Sequence, residues 1–284
     1  MAAPCRGPFR GANFPASGSM AEMDQDLEYT VGAVVSALRD ARRVLFVTGA
    51  GISADSGLPT YRGVSGLYDD GPTEDGVSIE DALSGEMLAE HPEITWRYIR
   101  EIEEACRGAA PNAAHDIIAK LQRLAEGRVL LTQNVDGLHR AAGSASPIEV
   151  HGNIDELRCT ACAYRTSVKD YAGLPPPPAV PRCPRCNAVL RPDVVLFGEM
   201  LPEAAIERLR DEVAQGFDLV IVIGTTAVFP YIQAPVLLAA RGGRTTVEIN
   251  PGDTMLSEIV THRLRIGAAD AMRHIWTRYQ AATR

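Results

Sequence analysis

The chain has 284 residues, 46% of them hydrophobic, and a formal net charge of −8. This length and apolar content suffice for one large domain, or for one domain with a smaller lobe. The negative charge argues against a general nucleic-acid-binding surface and leaves only a local basic groove open, and no apolar run approaches the roughly 18 residues of a membrane span.

The amino terminus predicts a disordered tail followed by a helix. Residues 1–22 are rich in Gly, Ala, Pro and Ser and contain no continuous apolar segment, so a secretory signal is not expected. A transit peptide, or a translation start at Met20 or Met23, stays open. Over 23–42, apolar residues recur at helical spacing and predict an amphipathic helix.

A predicted strand over 44–48 runs into a glycine-rich turn over 49–54. The turn matches the G-x-G-x-x-A outline of a dinucleotide site, in which backbone amides approach a pyrophosphate; a purely structural turn also fits. A dehydrogenase would add an acidic residue about 20 positions on, at the end of a second strand. Asp69 and Asp70 fit by count, but no strand precedes them, so the dehydrogenase interpretation is disfavoured.

The middle of the chain predicts three helices. Ser78 opens a capping-box pattern over 78–90, and Pro92 stands near the start of a helix over 93–107. Asn112 can cap the next helix. We expect that helix to face the core with four apolar residues, namely Ile117, Ile118, Leu121 and Leu124.

The remaining apolar runs alternate with helical patterns. We predict strands at 129–132, 148–150, 194–197, 219–223 and 245–249, and helices at 203–214, 232–241 and 269–281. Such alternation is typical of a parallel sheet covered on both faces, so the predicted fold class is α/β with a Rossmann-like sheet. We assign 23–66, 109–154 and 192–284 to the main domain, and a helical insertion (67–108) with a zinc-binding module (155–191) to a smaller lobe.

Four of the six cysteines form two C-x-x-C pairs with about 20 residues between the pairs. Four thiolates at this spacing suit one tetrahedral Zn²⁺ in a closed, structural site. A pair of disulfides fits the spacing and a reducing compartment poorly. The predicted ligands are Cys159, Cys162, Cys183 and Cys186, and the predicted location is the cytoplasm.

An ordered series of motifs extends over about residues 41–270. It consists of "GAGISADSGLPTYRG" (49–63), "TQNVDGLH" (132–139), "HGN" (151–153), the two cysteine pairs, "FGEMLP" (197–202), "GTT" (224–226) and "INPGD" (249–253). In this order and spacing, the sequence resembles the sirtuins, which are NAD-dependent protein lysine deacylases.

The resemblance implies that NAD is a consumed co-substrate. In that family the acyl oxygen of a substrate lysine attacks the nicotinamide-bearing ribose carbon, nicotinamide leaves, and a histidine then acts as general base on a ribose hydroxyl. By this resemblance the base is His151, whose type suits the task because an imidazole titrates near neutral pH. A lone histidine at a strand end is otherwise most often structural. The further catalytic residues implied are Asn134 and Asp136.

The resemblance also implies two sets of binding residues. The NAD-binding set is Gly49, Ala50, Gly51, Ser53, Asp55, Ser56, Pro59, Thr60, Tyr61, Arg62, Gln133, Asn134, Asp136, Gly224, Thr225, Thr226, Asn250, Pro251, Gly252 and, at the adenine, Ala268. Arg62 is a candidate partner for phosphate. The set flanking the acyl-lysine peptide is Val195, Phe197, Gly198, Glu199, Val228 and Phe229, although 194–197 also reads as an ordinary core strand.

The sequence departs from the family at two informative places. Relatives that prefer succinyl groups carry a Tyr-x-x-Arg pair before "PNAxH", and counting back from Pro111 finds Ile99 and Ile102 there. An apolar acyl pocket follows, so we predict a deacetylase acting on acyl-lysine proteins or peptides. After "GTT", Phe229 and Tyr231 add bulk near the expected groove. Protein mono-ADP-ribosylation and a non-catalytic NAD sensor stay as alternatives.

Overall fold

The computed structural model describes residues 20–60 and 73–283, with side chains from residue 25 onwards. The predicted tail therefore lies outside the described residues as far as residue 19, as do Tyr61, Arg62 and the two aspartates at 69 and 70. The first helix begins at Met20, three residues before its predicted start.

Nine strands form two separate sheets within the described ranges. In chain order they are β1 (Val44–Thr48), β2 (Arg128–Thr132), β3 (Ile148–Glu149), β4 (Gly152–Cys159), β5 (Arg165–Ser167), β6 (Leu190–Val194), β7 (Leu219–Ile223), β8 (Thr245–Ile249) and β9 (His262–Leu264). The main sheet has the order β3-β2-β1-β7-β8-β9 and every pairing in it is parallel. The small sheet has the order β5-β4-β6 and is antiparallel.

Helices cover both faces of the main sheet. In chain order, the helices of the described residues are α1 (Met20–Asp40), α2 (Ile79–Ala82), α3 (Gly85–Glu90), α4 (Pro92–Cys106), α5 (Ala113–Leu124), α6 (Leu138–Ala141), α7 (Glu203–Ala214), α8 (Pro230–Arg241) and α9 (Ala268–Ala282). Apolar residues of α1, α5 and α9 bury one face, and those of α7 and α8 bury the other. This arrangement confirms the predicted α/β fold class.

The register of the central strands shows which edge of the main sheet can form a ligand site. Thr48 at the end of β1 pairs with Thr132 on one side and with Ile223 on the other, and Ile223 pairs with Ile249. Four strands therefore end level with one another. The loops that follow them meet at one edge of the sheet, which is where parallel sheets bind ligands.

The small sheet packs on the helical segment. Leu157 of β4, Tyr171 and Leu196 share one buried cluster with Trp96 and Ile99 of α4. The Trp96 indole N–H donates to the carbonyl of Leu190 at 2.9 Å, which satisfies its polar atom inside this cluster. The helical insertion and the cysteine segment thus bury their apolar surface against each other.

Several boundaries differ from the sequence prediction. The single helix expected over 78–90 is two helices, because Ser84 accepts from the backbone N–H of Met87 and starts a second one. The strand expected at 194–197 lies earlier, as β6, and belongs to the small sheet. Leu124 was predicted to face the core but is 57% exposed, since it is the last residue of α5.

Other elements were not predicted at all. The segment 133–139 was expected to be a loop, yet α6 begins within it. Strands β4, β5 and β9 carry too little hydrophobic periodicity to stand out, because each is short, polar or both. No helix within the described residues is long and apolar enough to span a membrane.

Two loops at the sheet edge touch through their backbones, and glycines make this contact possible. Gly224 has a φ of +60°, and a Cβ there would lie 2.3 Å from the backbone nitrogen of Ile52. The N–H of Gly51 donates to the carbonyl of Gly224 at 2.8 Å. A side chain at Gly224 would therefore separate the loops after β1 and β7.

We expect Gly224→Ala to lower the free energy of unfolding by about 2–5 kcal/mol, from left-handed backbone strain plus overpacking. Gly243→Ala is the matched control: its φ is +66° but nothing lies within 4 Å of the added Cβ. It should cost only the strain, about 1–2 kcal/mol. Equal losses in urea unfolding would show that the loop contact contributes no stability.

Candidate active site and metal centre

Gln133 joins three strand ends at the sheet edge. Its backbone N–H donates to the carbonyl of Thr48 at 3.0 Å, and its side-chain amide donates to the Thr225 hydroxyl at 2.9 Å. A Cβ on Gly49 would lie 2.6 Å from the Cβ of Thr225, so this glycine also allows the loops to approach. Three residues of the predicted NAD set thus lie together.

Ser53 is the centre of a buried polar network. Its hydroxyl donates to Oδ2 of Asp136 at 2.7 Å and accepts from the side-chain amide of Asn134 at 3.1 Å. Ser53 and Asn134 are 1% and 5% exposed, so the carboxylate is held by hydrogen bonds in a region with little water. These three predicted residues form one preorganised polar surface.

Two histidines behind this network were not assigned a role from the sequence. The backbone N–H of Asn112 donates to Nδ1 of His115 at 3.3 Å, which leaves the proton on Nε2, 3.5 Å from the Ser53 hydroxyl. His139 lies edge-on to His115 at 4.8 Å and bonds to the Thr48 hydroxyl. Burial lowers the pKa of His115 and, together with the charge of His115, lowers the pKa of His139 to about 3. Both rings are therefore neutral at pH 7.

His151 stands between the main sheet and the small sheet. Its Nδ1 lies 2.9 Å from the carbonyl of Gln133, so Nδ1 carries the proton and Nε2 has the lone pair. Nε2 lies 2.7 Å from the Tyr231 hydroxyl. Burial lowers the pKa of His151, and the hydrogen bond to Gln133 opposes this only in part. The imidazole is neutral at pH 7 and its Nε2 can accept a proton.

The other predicted NAD residues lie in the loop after β8 and in the loops after β1 and β7. Asn250 donates to the carbonyl of Thr225 at 3.2 Å, and Gly252 donates to the side chain of Asn250 at 3.1 Å. Asp55 has a structural contact, because its carboxylate accepts from the backbone N–H of Ala269 at 2.9 Å and so caps α9, which begins at Ala268. Pro251 and Thr226 are exposed, and Thr60 is half-buried. The Ser56 hydroxyl accepts a hydrogen bond from the side-chain amide of Asn112 at 3.0 Å.

A cavity opens beside the Ser53 network. Residues of α4 form its far wall, and the residues lining it are Ala50, Ser53, Leu58, Pro59, Ile102, Ala105, Cys106, Asn134, Val135 and Asp136. Cys106 was left without a role by the sequence. Burial, with the nearby charges of Asp136 and Asp155, raises the pKa of its thiol to about 12. It is therefore an apolar, protonated wall residue at neutral pH.

The segment predicted to flank a peptide lies next to His151. The N–H of Val195 donates to the carbonyl of His151 at 2.9 Å, and Phe197 exchanges backbone hydrogen bonds with Leu83 and Gly85 at 3.0 and 3.1 Å. Glu199 forms an ion pair with the buried Arg191, and beyond it a cleft is lined by Gly198 and acidic residues of α2 and α3. Val228 and Phe229 are 42% and 36% exposed.

The four cysteines of the two C-x-x-C pairs converge at the end of the small sheet. Their sulfur atoms all lie within 4.8 Å of one another, with Sγ–Sγ distances of 3.4 Å for Cys159–Cys186 and 3.6 Å for Cys162–Cys183. A disulfide needs about 2.05 Å, whereas sulfurs bound to one tetrahedral zinc at about 2.3 Å lie roughly 3.8 Å apart. Backbone N–H groups of Ala161 and Arg185 point at two of the sulfurs. The cluster is positioned to bind one structural zinc.

Comparison with known proteins agrees with this geometry. The Sir2 family model matches residues 49–230. The NAD-dependent protein deacylase 2 of Pseudomonas aeruginosa is 48% identical over 255 residues, covering 88% of this chain and 97% of that protein. The NAD-dependent protein deacylase 2 of Pseudomonas syringae pv. tomato is 51% identical over 243 residues, covering 84% and 96%.

Solved structures are also similar. A Sir2 homolog in complex with NAD superposes with a TM-score of 0.79 at 35% identity, covering 89% of this chain and 95% of that one. A Sir2 complex with a p53 peptide and NAD⁺ gives 0.74 at 31% identity, covering 88% and 98%. The chain therefore belongs to the Sir2 family, and its resemblance to the sirtuins is confirmed.

We expect Cys159→Ser to release the zinc and to unfold the cysteine module, because metal binding contributes on the order of 10 kcal/mol to folding of such sites. Zinc content by atomic absorption should fall from one ion per chain to near zero. Cys106→Ser is the control, since Cys106 lies on α4 outside the cluster and should retain one zinc. Full zinc retention by Cys159→Ser would contradict a tetrathiolate site.

Proposed function

We propose that the chain is an NAD-dependent protein lysine deacylase, and specifically a deacetylase. The observation that carries the proposal is the placement, at one sheet edge, of a neutral imidazole with an unprotonated Nε2 and the buried Ser53 network. Relatives named NAD-dependent protein deacylase, at 48% and 51% identity, support the class of reaction.

The Ser53 network suits the nicotinamide end of the dinucleotide. When bound, NAD supplies the ribose that receives the acyl group and nicotinamide as the leaving group. Asn134 and Asp136 can orient a carboxamide with dipoles and charge that need no reorganisation. We place the adenosine half toward Asn250 and Ala268, on the strand ends that follow.

His151 is the proposed general base. Its Nε2 is the nitrogen that carries the lone pair and can take a proton, because the proton of the neutral ring lies on Nδ1, against the carbonyl of Gln133. A lowered pKa keeps this nitrogen unprotonated at neutral pH. In the proposed step, Nε2 accepts the proton of a ribose hydroxyl, which raises the nucleophilicity of that oxygen toward the acyl carbon.

The α4 wall of the cavity, on which we propose the acyl group lies, carries no charged side chain. Ile102, Ala105 and Cys106 form this wall, and Ile99 of the same helix is buried. The nearby polar side chains are committed elsewhere: the Tyr98 hydroxyl donates to Asp75 at 2.8 Å, and Arg100 donates to the carbonyl of Pro175. No described cation thus lines the cavity to pair with an acyl carboxylate, which supports acetyl and longer hydrocarbon chains as substrates.

The peptide substrate is proposed to lie between Val195–Glu199 and the exposed Val228–Phe229. Main-chain pairing with such a segment would tolerate many sequences around the modified lysine. We further propose that the enzyme works in the cytoplasm, because zinc needs reduced cysteines and such thiols persist in reducing compartments. No disulfide joins the described cysteines.

We expect acetyl-lysine peptide to be deacylated at least about 100-fold faster than succinyl-lysine peptide, since burying an unpaired carboxylate costs several kcal/mol. Mass spectrometry should find one nicotinamide and one O-acetyl-ADP-ribose per acetyl group lost. Ile102→Arg should raise the succinyl rate relative to the acetyl rate. Faster succinyl removal by the unaltered enzyme would refute the apolar pocket, and NAD consumption with both peptides intact would favour ADP-ribosyl transfer.

We expect His151→Ala to reduce deacylation by about 10²- to 10⁴-fold, as for loss of a general base. NAD binding, measured by calorimetry, should change little because the Ser53 network does not include this imidazole. His274→Ala is a matched control, since that histidine is exposed on α9, and its turnover should be unchanged. Normal turnover by His151→Ala would show that His151 is not the general base.

A further inference from the structure

The lone pair of the proposed base already has a partner. Nε2 of His151 accepts from the hydroxyl of Tyr231 at 2.7 Å, while Nδ1–H donates to Gln133. We propose that Tyr231 is a positioning residue for His151: its hydroxyl donates to the lone pair of Nε2 and fixes the direction in which that nitrogen points.

The hydrogen bond has only one consistent arrangement of protons. A carbonyl oxygen can only accept, so the proton of the neutral ring lies on Nδ1. Nε2 must then accept, and the phenol must donate. Burial raises the pKa of Tyr231 to about 12, so the phenol stays protonated and does not act as a base itself.

The Tyr231 ring is held by packing. Tyr231 is the second residue of α8, and its ring stacks on Phe229 at 5.4 Å with an interplanar angle of 11°. Both rings lie edge-on to the imidazole, at 6.0 Å for Phe229 and 6.1 Å for Tyr231. Tyr231 also packs against the apolar cluster between α7, α8 and the sheet. The hydroxyl is therefore directed at Nε2 by the fold.

A hydroxyl can remain a partner after the base has taken a proton. In the resting state it donates to Nε2, and once Nε2 is protonated it can rotate and accept from the new N–H. The carboxylates of the site do not compete for the imidazole, because Asp136 is bonded to Ser53 and Glu199 to Arg191. Among the residues that the structure describes, Tyr231 is the titratable residue whose side chain contacts the His151 ring directly.

This inference rests on the proposed role of His151, but its first test needs no substrate. Long-range ¹H–¹⁵N correlation spectra of the unliganded, zinc-loaded protein report which imidazole nitrogen carries the proton. We expect the wild-type ring to be one tautomer, protonated at Nδ1. In Tyr231→Phe, which removes only the hydroxyl, we expect Gln133 to keep the proton on Nδ1 and the ¹⁵N resonance of Nε2 to move downfield, because that nitrogen loses its hydrogen bond.

The second test separates positioning from substrate binding. In Tyr231→Phe we expect kcat for deacetylation to fall about three- to tenfold, as for one lost hydrogen bond, with KM for NAD unchanged. Exchange of labelled nicotinamide into NAD, which precedes base action in the proposed reaction, should keep its wild-type rate. Tyr171→Phe is the matched control: its buried hydroxyl donates to Ile154 at 2.6 Å, and its loss should leave the His151 spectrum unchanged.

Three results would overturn the proposal. The first is a wild-type ring protonated at Nε2, which needs no variant to detect. The second is an unchanged Nε2 resonance together with normal kcat in Tyr231→Phe. The third is an equal fall in nicotinamide exchange and deacetylation, which would place the hydroxyl on the substrate. If the wild type fails to deacylate but shows the expected spectra, only the proposed function is refuted.

Discussion

The backbone contact between the loops after β1 and β7 is the constraint on which the rest of the site depends. Because Gly224 and Gly51 carry no side chains, Gly51 can donate directly to the carbonyl of Gly224. That contact brings Ser53 over the end of β2 and places Thr225 within reach of Gln133. Gly51, which belongs to the turn that suggests phosphate binding, is therefore also needed for the two loops to pack against each other.

The neutral state of the histidines follows from burial, which lowers the pKa of His151 and outweighs the opposing charges of Asp136 and Asp116 on the pKa of His115. A backbone N–H makes Nδ1 of His115 a hydrogen-bond acceptor. A backbone carbonyl makes Nδ1 of His151 a hydrogen-bond donor. Burial then favours the neutral ring. The carboxyl group among the predicted catalytic residues, that of Asp136, accepts hydrogen bonds from Ser53 and from the backbone N–H of Leu138.

The main sheet could be predicted because its strands are buried on both faces; β7, for example, is apolar at all five positions. The zinc ligands could be predicted because their spacing is local. The partner of His151 could not, since Tyr231 lies 80 residues away and joins it only through the turn into α8. Asp55 stays a predicted cofactor residue. Its cap on α9 could not be predicted, because the contact joins residues 214 positions apart and no local sequence pattern indicates it.

The small sheet connects the cysteine cluster to the proposed base through continuous backbone. Strand β4 begins at Gly152, the residue after His151, and ends at Cys159; β6 returns from Leu190 to Val194, beside Val195. At the active-site end the two strands are in such close contact that a Cβ on Gly152 would overlap the carbonyl of Asp193. The same two strands therefore fix both the position of the cysteine cluster and the position of the imidazole, so a displacement at one end of the small sheet is transmitted to the other through backbone alone.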